Sequence, residues 1–253
     1  MTTTTMRAVR AALAGLLTAL LATATAAAAD CRQTEFEGLP HTICEVEAGQ
    51  DLRLFLTAAD GAVFGSFARL EADLAAQGDR LVFAMNAGMY HADRRPVGLY
   101  VQDGRQVAPL VTRAGPGNFG MLPNGVFCIR DAAFAVIESR AYAAAPQDCR
   151  DASQSGPMLV IEGALHPRFL PDATSVFIRN GVGVSADGRR AVFAISDRPV
   201  TFHQFARLFR DHLGLPQALY FDGNVSRLHA PALGRSDWGR PMGPIVGLVA
   251  PAS

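Results

Sequence analysis

Apolar runs too short to make helices recur along this chain, and turn-forming residues cut each one off. Leu81-Val82-Phe83-Ala84-Met85 ends in Asn86-Ala87-Gly88, and Gln217 to Phe221 ends in Asp222-Gly223. Runs of about four to eight residues bounded by Gly, Asn, Asp or Pro read as strands, because a helix needs a longer apolar repeat to bury one face. Leu52 to Leu56, Gly98 to Gln102, Gly125 to Arg130, Ala133 to Glu138 and Pro157 to Ile161 read the same way. So do Ser175 to Arg179, Val182 to Ser185 and Ala191 to Ser196, with Asp187-Gly188 as a hairpin turn between the last two.

Helical periodicity appears in two places. Val63 to Gln77 repeats Phe64, Phe67, Leu70 and Leu74 and stops at Gly78. Phe202 to Leu213 carries Phe202, Phe205, Ala206, Phe209 and Leu213 on one face. Thr201 and Gln204 form a capping box at its start, and Gly214 and Pro216 end it. Many short strands with few helices predict one α+β domain, built on a mixed or largely antiparallel sheet with a few packed helices.

The N-terminus reads as a leader. Arg7 and Arg10 precede an apolar run from Ala11 to Ala22, then a small-residue stretch ending at Ala29-Asp30. A basic start, an apolar middle and an A-x-A-like cleavage site are expected of a secretory signal peptide. Residues 1–29 are therefore expected to be removed, leaving a domain over 30–253 in a periplasmic or secreted setting with no stable membrane anchor. Cys31, Cys44, Cys128 and Cys149 all lie in that domain, and an even count in an exported chain reads as two disulfides. Three pairings are open; Cys31–Cys44 with Cys128–Cys149 is favoured because each closes a short loop.

Charge and motifs exclude several classes. Basic and acidic residues balance at 23 each with no basic block, so there is no electrostatic footprint for nucleic acid. Every basic residue is arginine, which rules out Schiff-base and P-loop lysine chemistry. The chain has no G-x-S-x-G, H-E-x-x-H, Walker or dinucleotide glycine pattern. His91 and Asp93 could share a metal, but two ligands are too few, and neither a metal nor a cofactor is expected.

What recurs instead is an apolar strand that meets a small polar cluster. Asn86 ends one, Asn124 starts another, and Ser153-Gln154-Ser155-Gly156-Pro157 opens the strand leading to Glu162. Arg179-Asn180-Gly181 and Asp222-Gly223-Asn224-Val225-Ser226 complete the set. Amides and hydroxyls suit sugar hydroxyls, and an arginine fork matches two phosphate oxygens.

Asn86-Ala87-Gly88-Met89-Tyr90, Gln154 to Leu159, Arg179 to Gly183 and Ala218 to Ser226 resemble, in order and spacing, successive motifs of the phosphodiester glycosidase family. The resemblance spans about Arg53 to Val249. It differs where the family's Asp-Gly-Gly-Gly-Ser becomes Asp222-Gly223-Asn224-Val225-Ser226, which stiffens the loop and adds bulk beside the acid. The resemblance implies hydrolysis of a sugar-1-phosphodiester at the glycosidic bond, with a small-molecule or glycan phosphodiester as substrate. It implies Asp222 as the working carboxylate and Arg179 on the departing phosphate; Glu162 is a candidate partner carboxylate or else a solvated residue at the turn Glu162-Gly163. Asn86, Asn124, Ser155, Gly156, Asn180, Gly223 and Ser226 are candidates for holding substrate, as is His203 in the first turn of the capped helix. The alternatives are a non-catalytic glycan- or phosphoglycan-binding envelope protein, and a metal-dependent phosphodiesterase cleaving P–O.

Overall fold

The computed structural model describes residues 29–252, so the leader expected over 1–29 lies, but for Ala29, outside the described residues. Three sheets carry the chain, and every pairing within them is antiparallel. The seven-stranded sheet runs, in spatial order, Asp30–Phe36, Leu39–Glu47, Arg190–Ser196, Asn180–Val184, Gln217–Asp222, Met158–Ile161 and Ala164–Leu165. A five-stranded sheet places Asp79–Asn86 between Leu228–Ala230 and Ile245–Pro251, with Arg235–Ser236 and Leu52–Phe55 at its edges. A second five-stranded sheet runs Arg105–Ala108, Tyr100–Gln102, Asp151–Ser155, Gly125–Arg130 and Ala133–Glu138. The α+β class expected from the sequence holds, with three antiparallel sheets in place of one.

The sheets meet on aromatic side chains. Phe193 of the large sheet lies 5.0 Å from Phe83 and 5.7 Å from Phe127, one from each smaller sheet, and Phe127 also reaches Phe221 at 6.4 Å between ring centroids. All four are fully buried, and each contributes roughly 1.5–3 kcal/mol by leaving water. Strand periodicity divides Gln217–Asp222 between two layers. Leu219 and Phe221 enter this central core, whereas Ala218 and Tyr220 pack with Phe205 and Phe209 under the capped helix.

Both halves of the Thr201–Gln204 capping box form at the start of Phe202–Arg207. The remainder of the predicted helix, Leu208–His212, widens into a π turn, with the Leu213 N–H on the Leu208 carbonyl at 3.0 Å. The first helix is shorter than predicted, Phe67–Ala75, because the Ser66 hydroxyl caps it by accepting the Arg69 N–H. Ser139–Ala144, capped by Glu138, is a helix that periodicity did not reveal.

One strand expectation needs correction, and Asp30–Phe36 is a strand that was not expected. Ser175 to Arg179 is not a strand; only Phe177 bridges Val200. The Ser175 and Val200 carbonyls instead receive the Arg179 guanidinium. Conversely, Asp30–Phe36 pairs along Leu39–Glu47 although its side chains are mostly exposed and show no apolar alternation. Cys31 faces Cys44 in that register, and the disulfides are Cys31–Cys44 and Cys128–Cys149, the pairing favoured by loop length. Among the described residues no helix is long and apolar enough to cross a membrane.

Candidate active site

Alternation along Gln217–Asp222 puts Tyr220 and Asp222 on the same face. Both line a cleft of about 570 Å³, with Met89, Tyr90, Asn118, Phe177 and the Gly223-Asn224-Val225 loop around them. Asp222 is 9% exposed, and its Oδ1 accepts the Gly223 N–H at 2.6 Å and the Asn224 N–H at 2.7 Å. This is the local turn that an aspartate side chain makes with the backbone after it. Burial raises the Asp222 pKa, and the N–H groups of Asn224, Gly223 and Val225 oppose that rise without cancelling it. Ser226 closes the loop, its hydroxyl lying 2.8 Å from the Asp222 carbonyl and 2.9 Å from that of Ile178.

Gly223 is required by close approach: a Cβ there would overlap the Tyr220 hydroxyl. Tyr220 is fully buried, and burial pushes its phenol well up, so it keeps its proton at neutral pH. Asn118 lines the cleft with it, and Arg179 Nη1 stands 3.4 Å from its hydroxyl.

Arg179 is 1% exposed and makes no ion pair among the described residues. Its guanidinium donates to the carbonyls of Val200 at 2.8 Å and Ser175 at 3.1 Å, and lies 3.6 Å over the Phe202 ring. Burial lowers its pKa, yet a guanidinium stays charged in proteins. A buried cation held only by neutral groups therefore sits behind the cleft, separated from it by Tyr220 and Phe177.

The expected amides act on the strand end from behind. Asn180 pairs with Asp222 in register, and its amide exchanges hydrogen bonds with that of Asn86 at 3.0 and 3.2 Å. Asn86 Oδ1 also accepts the Arg227 N–H at 2.9 Å. Ser155 donates to the Phe221 carbonyl at 2.9 Å, so residues from all three sheets brace the carboxylate's strand. Asn124 donates to the Phe119 carbonyl at 2.9 Å, fixing the loop that brings Gly117 and Asn118 into the cleft. Gly156 lies against it, where a Cβ would come 2.5 Å from the Asn124 Cβ.

Glu162 does not join this group. It is exposed in the turn between Met158–Ile161 and Ala164–Leu165, and Val160 pairs with Ala218 at the start of the Asp222 strand. Several residues of extended chain, at about 3.3 Å each, separate it from Asp222, well beyond the roughly 5–9.5 Å that paired glycosidase carboxylates span. Antiparallel pairing sends the two strand ends to opposite edges of the sheet, which sequence order alone does not reveal. His203 is partly exposed and does not line the cleft; its neighbour Phe202 is the residue against Arg179. Asp93 is paired with Arg95 at 2.6 Å, and among the described residues no group of three or more His, Cys, Asp or Glu is placed to hold a metal.

Met89, Tyr90 and Tyr220 lie inside the quoted family motifs but are not among the expected site residues, and Asn118 lies in none of those motifs. Tyr220 had a usable signal, since it stands two positions before Asp222 on a strand. Asn118 had none, because only the Asn124 brace brings its loop to the cleft.

The phosphodiester glycosidase family profile matches residues 79–233, which include Asn86, Arg179, Asn180 and Asp222. The Escherichia coli protein YigE is 35% identical over 178 residues, covering 70% of this chain and 69% of that one. The catalytic domain of zebrafish N-acetylglucosamine-1-phosphodiester alpha-N-acetylglucosaminidase, auto-inhibited by its pro-peptide, matches with TM-score 0.57 at 14% identity over 86% of this chain and 81% of that one. A Burkholderia pseudomallei protein described as exported matches with TM-score 0.56 at 12% identity over 83% of this chain and 74% of its own. At such identities the two structures share the fold alone, while the profile and the Escherichia coli relative fix the kinship. This chain belongs to the phosphodiester glycosidase family.

Proposed function

We propose that the protein is an exported hydrolase that cleaves the glycosidic C–O bond of a sugar-1-phosphodiester, giving free sugar and a phosphomonoester. One observation carries the reading: a strand-end carboxylate in a cleft stands one tyrosine away from a buried guanidinium with no carboxylate partner among the described residues. A buried cation without a counter-ion is costly, and an anionic phosphate arriving in the cleft offsets that cost.

Asp222 is the acidic residue lining the cleft. Glycoside hydrolysis ordinarily uses a second carboxyl group to protonate the leaving oxygen. A phosphate monoester departs as a stabilised anion and needs less help, so one carboxylate suffices. Ionised Asp222 supports the positive charge that develops at the anomeric carbon, as nucleophile or as base for water. The protonated Tyr220 hydroxyl, with Arg179 behind it, faces the departing phosphate and stabilises its charge. Arg179 thus acts through Tyr220, and Asn86, Asn180, Ser155 and Ser226 are positioning residues. The two disulfides suit the oxidising compartment that an exported chain reaches.

The test is turnover of a panel of sugar-1-phosphodiesters in oxygen-18 water by the chain lacking residues 1–29 and by its Asp222→Asn variant, with products weighed by mass spectrometry. Label in the sugar, absent with the variant, is the expected result. Label in the phosphate means P–O cleavage and overturns the reading. Tight binding of the panel by both proteins with no turnover would make it a glycan-binding protein instead.

A further inference from the structure

Trp238 is the single tryptophan of the chain and is 94% exposed. Isolated surface apolar residues need no explanation, but the setting of this one does. Its loop is braced on both sides. Asp237 exchanges hydrogen bonds with the Leu228 backbone, at 3.0 Å to its carboxylate and 2.9 Å from its N–H, and holds Arg235 at 3.0 Å. On the far side Arg227 packs under Gly239 and donates to the Arg240 carbonyl at 2.5 Å. A large ring is therefore held in water by an anchored loop, pre-organised rather than loose.

A second cleft, of about 510 Å³, opens beside the indole and is lined by Asp197, Arg227, Arg235 and Asp237. Two guanidiniums and two carboxylates give no net charge, with Arg235 bridging Asp197 and Asp237. A neutral ligand that needs both donors and acceptors fits that lining better than an anion does. A sugar ring supplies hydroxyls for the charged groups and a C–H face for the electron-rich indole. The cleft also shares a wall with the Asp222 site: Phe177 and Val225 line the first, and the next residues, Ile178 and Ser226, line the second.

We propose that the Trp238 cleft is a subsite for a neutral sugar ring, so that the substrate is an extended glycan whose phosphodiester lies at Asp222. The placement of the phosphodiester rests on the function proposed above, whereas sugar binding at Trp238 does not.

A single tryptophan makes the test direct, because its emission reports this site alone. The chain lacking residues 1–29 and its Asp222→Asn variant are titrated with glucose and N-acetylglucosamine oligosaccharides of increasing length, inorganic phosphate, and phosphatidylglycerol vesicles. The expected result is a saturable blue shift and protection from acrylamide quenching with the oligosaccharides, equal in both proteins and absent with phosphate. Trp238→Ala is expected to lower calorimetric affinity for the same oligosaccharides about ten-fold, the scale of a buried aromatic anchor. No response to any sugar, or a response to vesicles alone, overturns the proposal. Asp222-dependent turnover of the sugar-1-phosphodiester panel with a silent Trp238 sinks this subsite and leaves the hydrolase standing; an oligosaccharide-dependent shift with no turnover of that panel does the reverse.

Discussion

Replacing Gly223 by alanine tests whether the Asp222 loop is seated on Tyr220. Gly223 does not occupy the left-handed region, so alanine adds little backbone strain and the steric effect is isolated. The added Cβ would overlap the Tyr220 hydroxyl, while its other neighbours, Phe177 Cβ and Tyr220 Cζ, lie at an ordinary 3.4 Å. Overpacking of this kind costs about 1–3 kcal/mol, which for a domain of this size lowers Tm by roughly 2–12 °C. Tyr220→Phe removes the oxygen that clashes, together with the acceptor for Arg179 at 3.4 Å, at a cost of about 1.5–3 kcal/mol for a charge-assisted bond. In the double variant the overlap is gone, so its cost falls short of the sum of the two single costs by about 1–3 kcal/mol, the overlap cost itself. Urea unfolding of the four proteins with disulfides intact measures this coupling. Additive losses, or a Gly223→Ala midpoint equal to wild type, would refute the seating of the loop on the phenol.

Burial raises the Asp222 pKa, so the folded state holds this proton to higher pH than the unfolded chain and loses stability as pH rises through that interval. Asp222→Asn keeps an acceptor for the loop N–H groups; its unfolding free energy relative to wild type is expected to rise with pH across that window and stay higher above it. The same ionisation shifts the acid limb of wild-type kcat/KM upward from the ordinary aspartate value, and a limb at or below that value would count against Asp222. Cys128 and Cys149 are 21 residues apart, so replacing both by alanine is expected to cost about 3 kcal/mol in chemical denaturation. Asn224 and Val225 line the cleft beside the acid; changing both to glycine is expected to lower KM for bulkier sugar phosphodiesters while costing roughly 0.5–1 kcal/mol per glycine in stability. Unchanged selectivity in a kinetic panel would show that these side chains do not set substrate size.

Sequence carried whatever depends on neighbours along the chain. Apolar runs cut by turn residues located about half of the strands, since a strand needs only a buried face and a stop; Leu39–Glu47 and Ile245–Pro251 were among those not located. The capping box at Thr201 and Gln204, the hairpin at Asp187-Gly188 and the aspartate closing the strand from Gln217 are local chemistry, and each appears as expected. The short-loop disulfides were legible for the same reason. The polar strand Asp30–Phe36 was not, because an edge strand is held by its partner's backbone rather than by its own side chains.

Tertiary structure decided everything that depends on what faces what. Asn86 and Asn180, 94 positions apart and expected to hold substrate, hydrogen-bond each other across two sheets. Antiparallel pairing sent Glu162 to the edge of the sheet away from Asp222. Arg179, expected to meet phosphate, lies behind Tyr220 because its guanidinium donates to the carbonyl of Val200, which the bridge to Phe177 holds beside it. Trp238 gained its setting only when Arg227, Arg235 and Asp237 pinned its loop. Which residues are polar and where strands end is written in local order; whether a polar side chain faces a cleft or another residue depends on the register and packing of strands far apart in the chain.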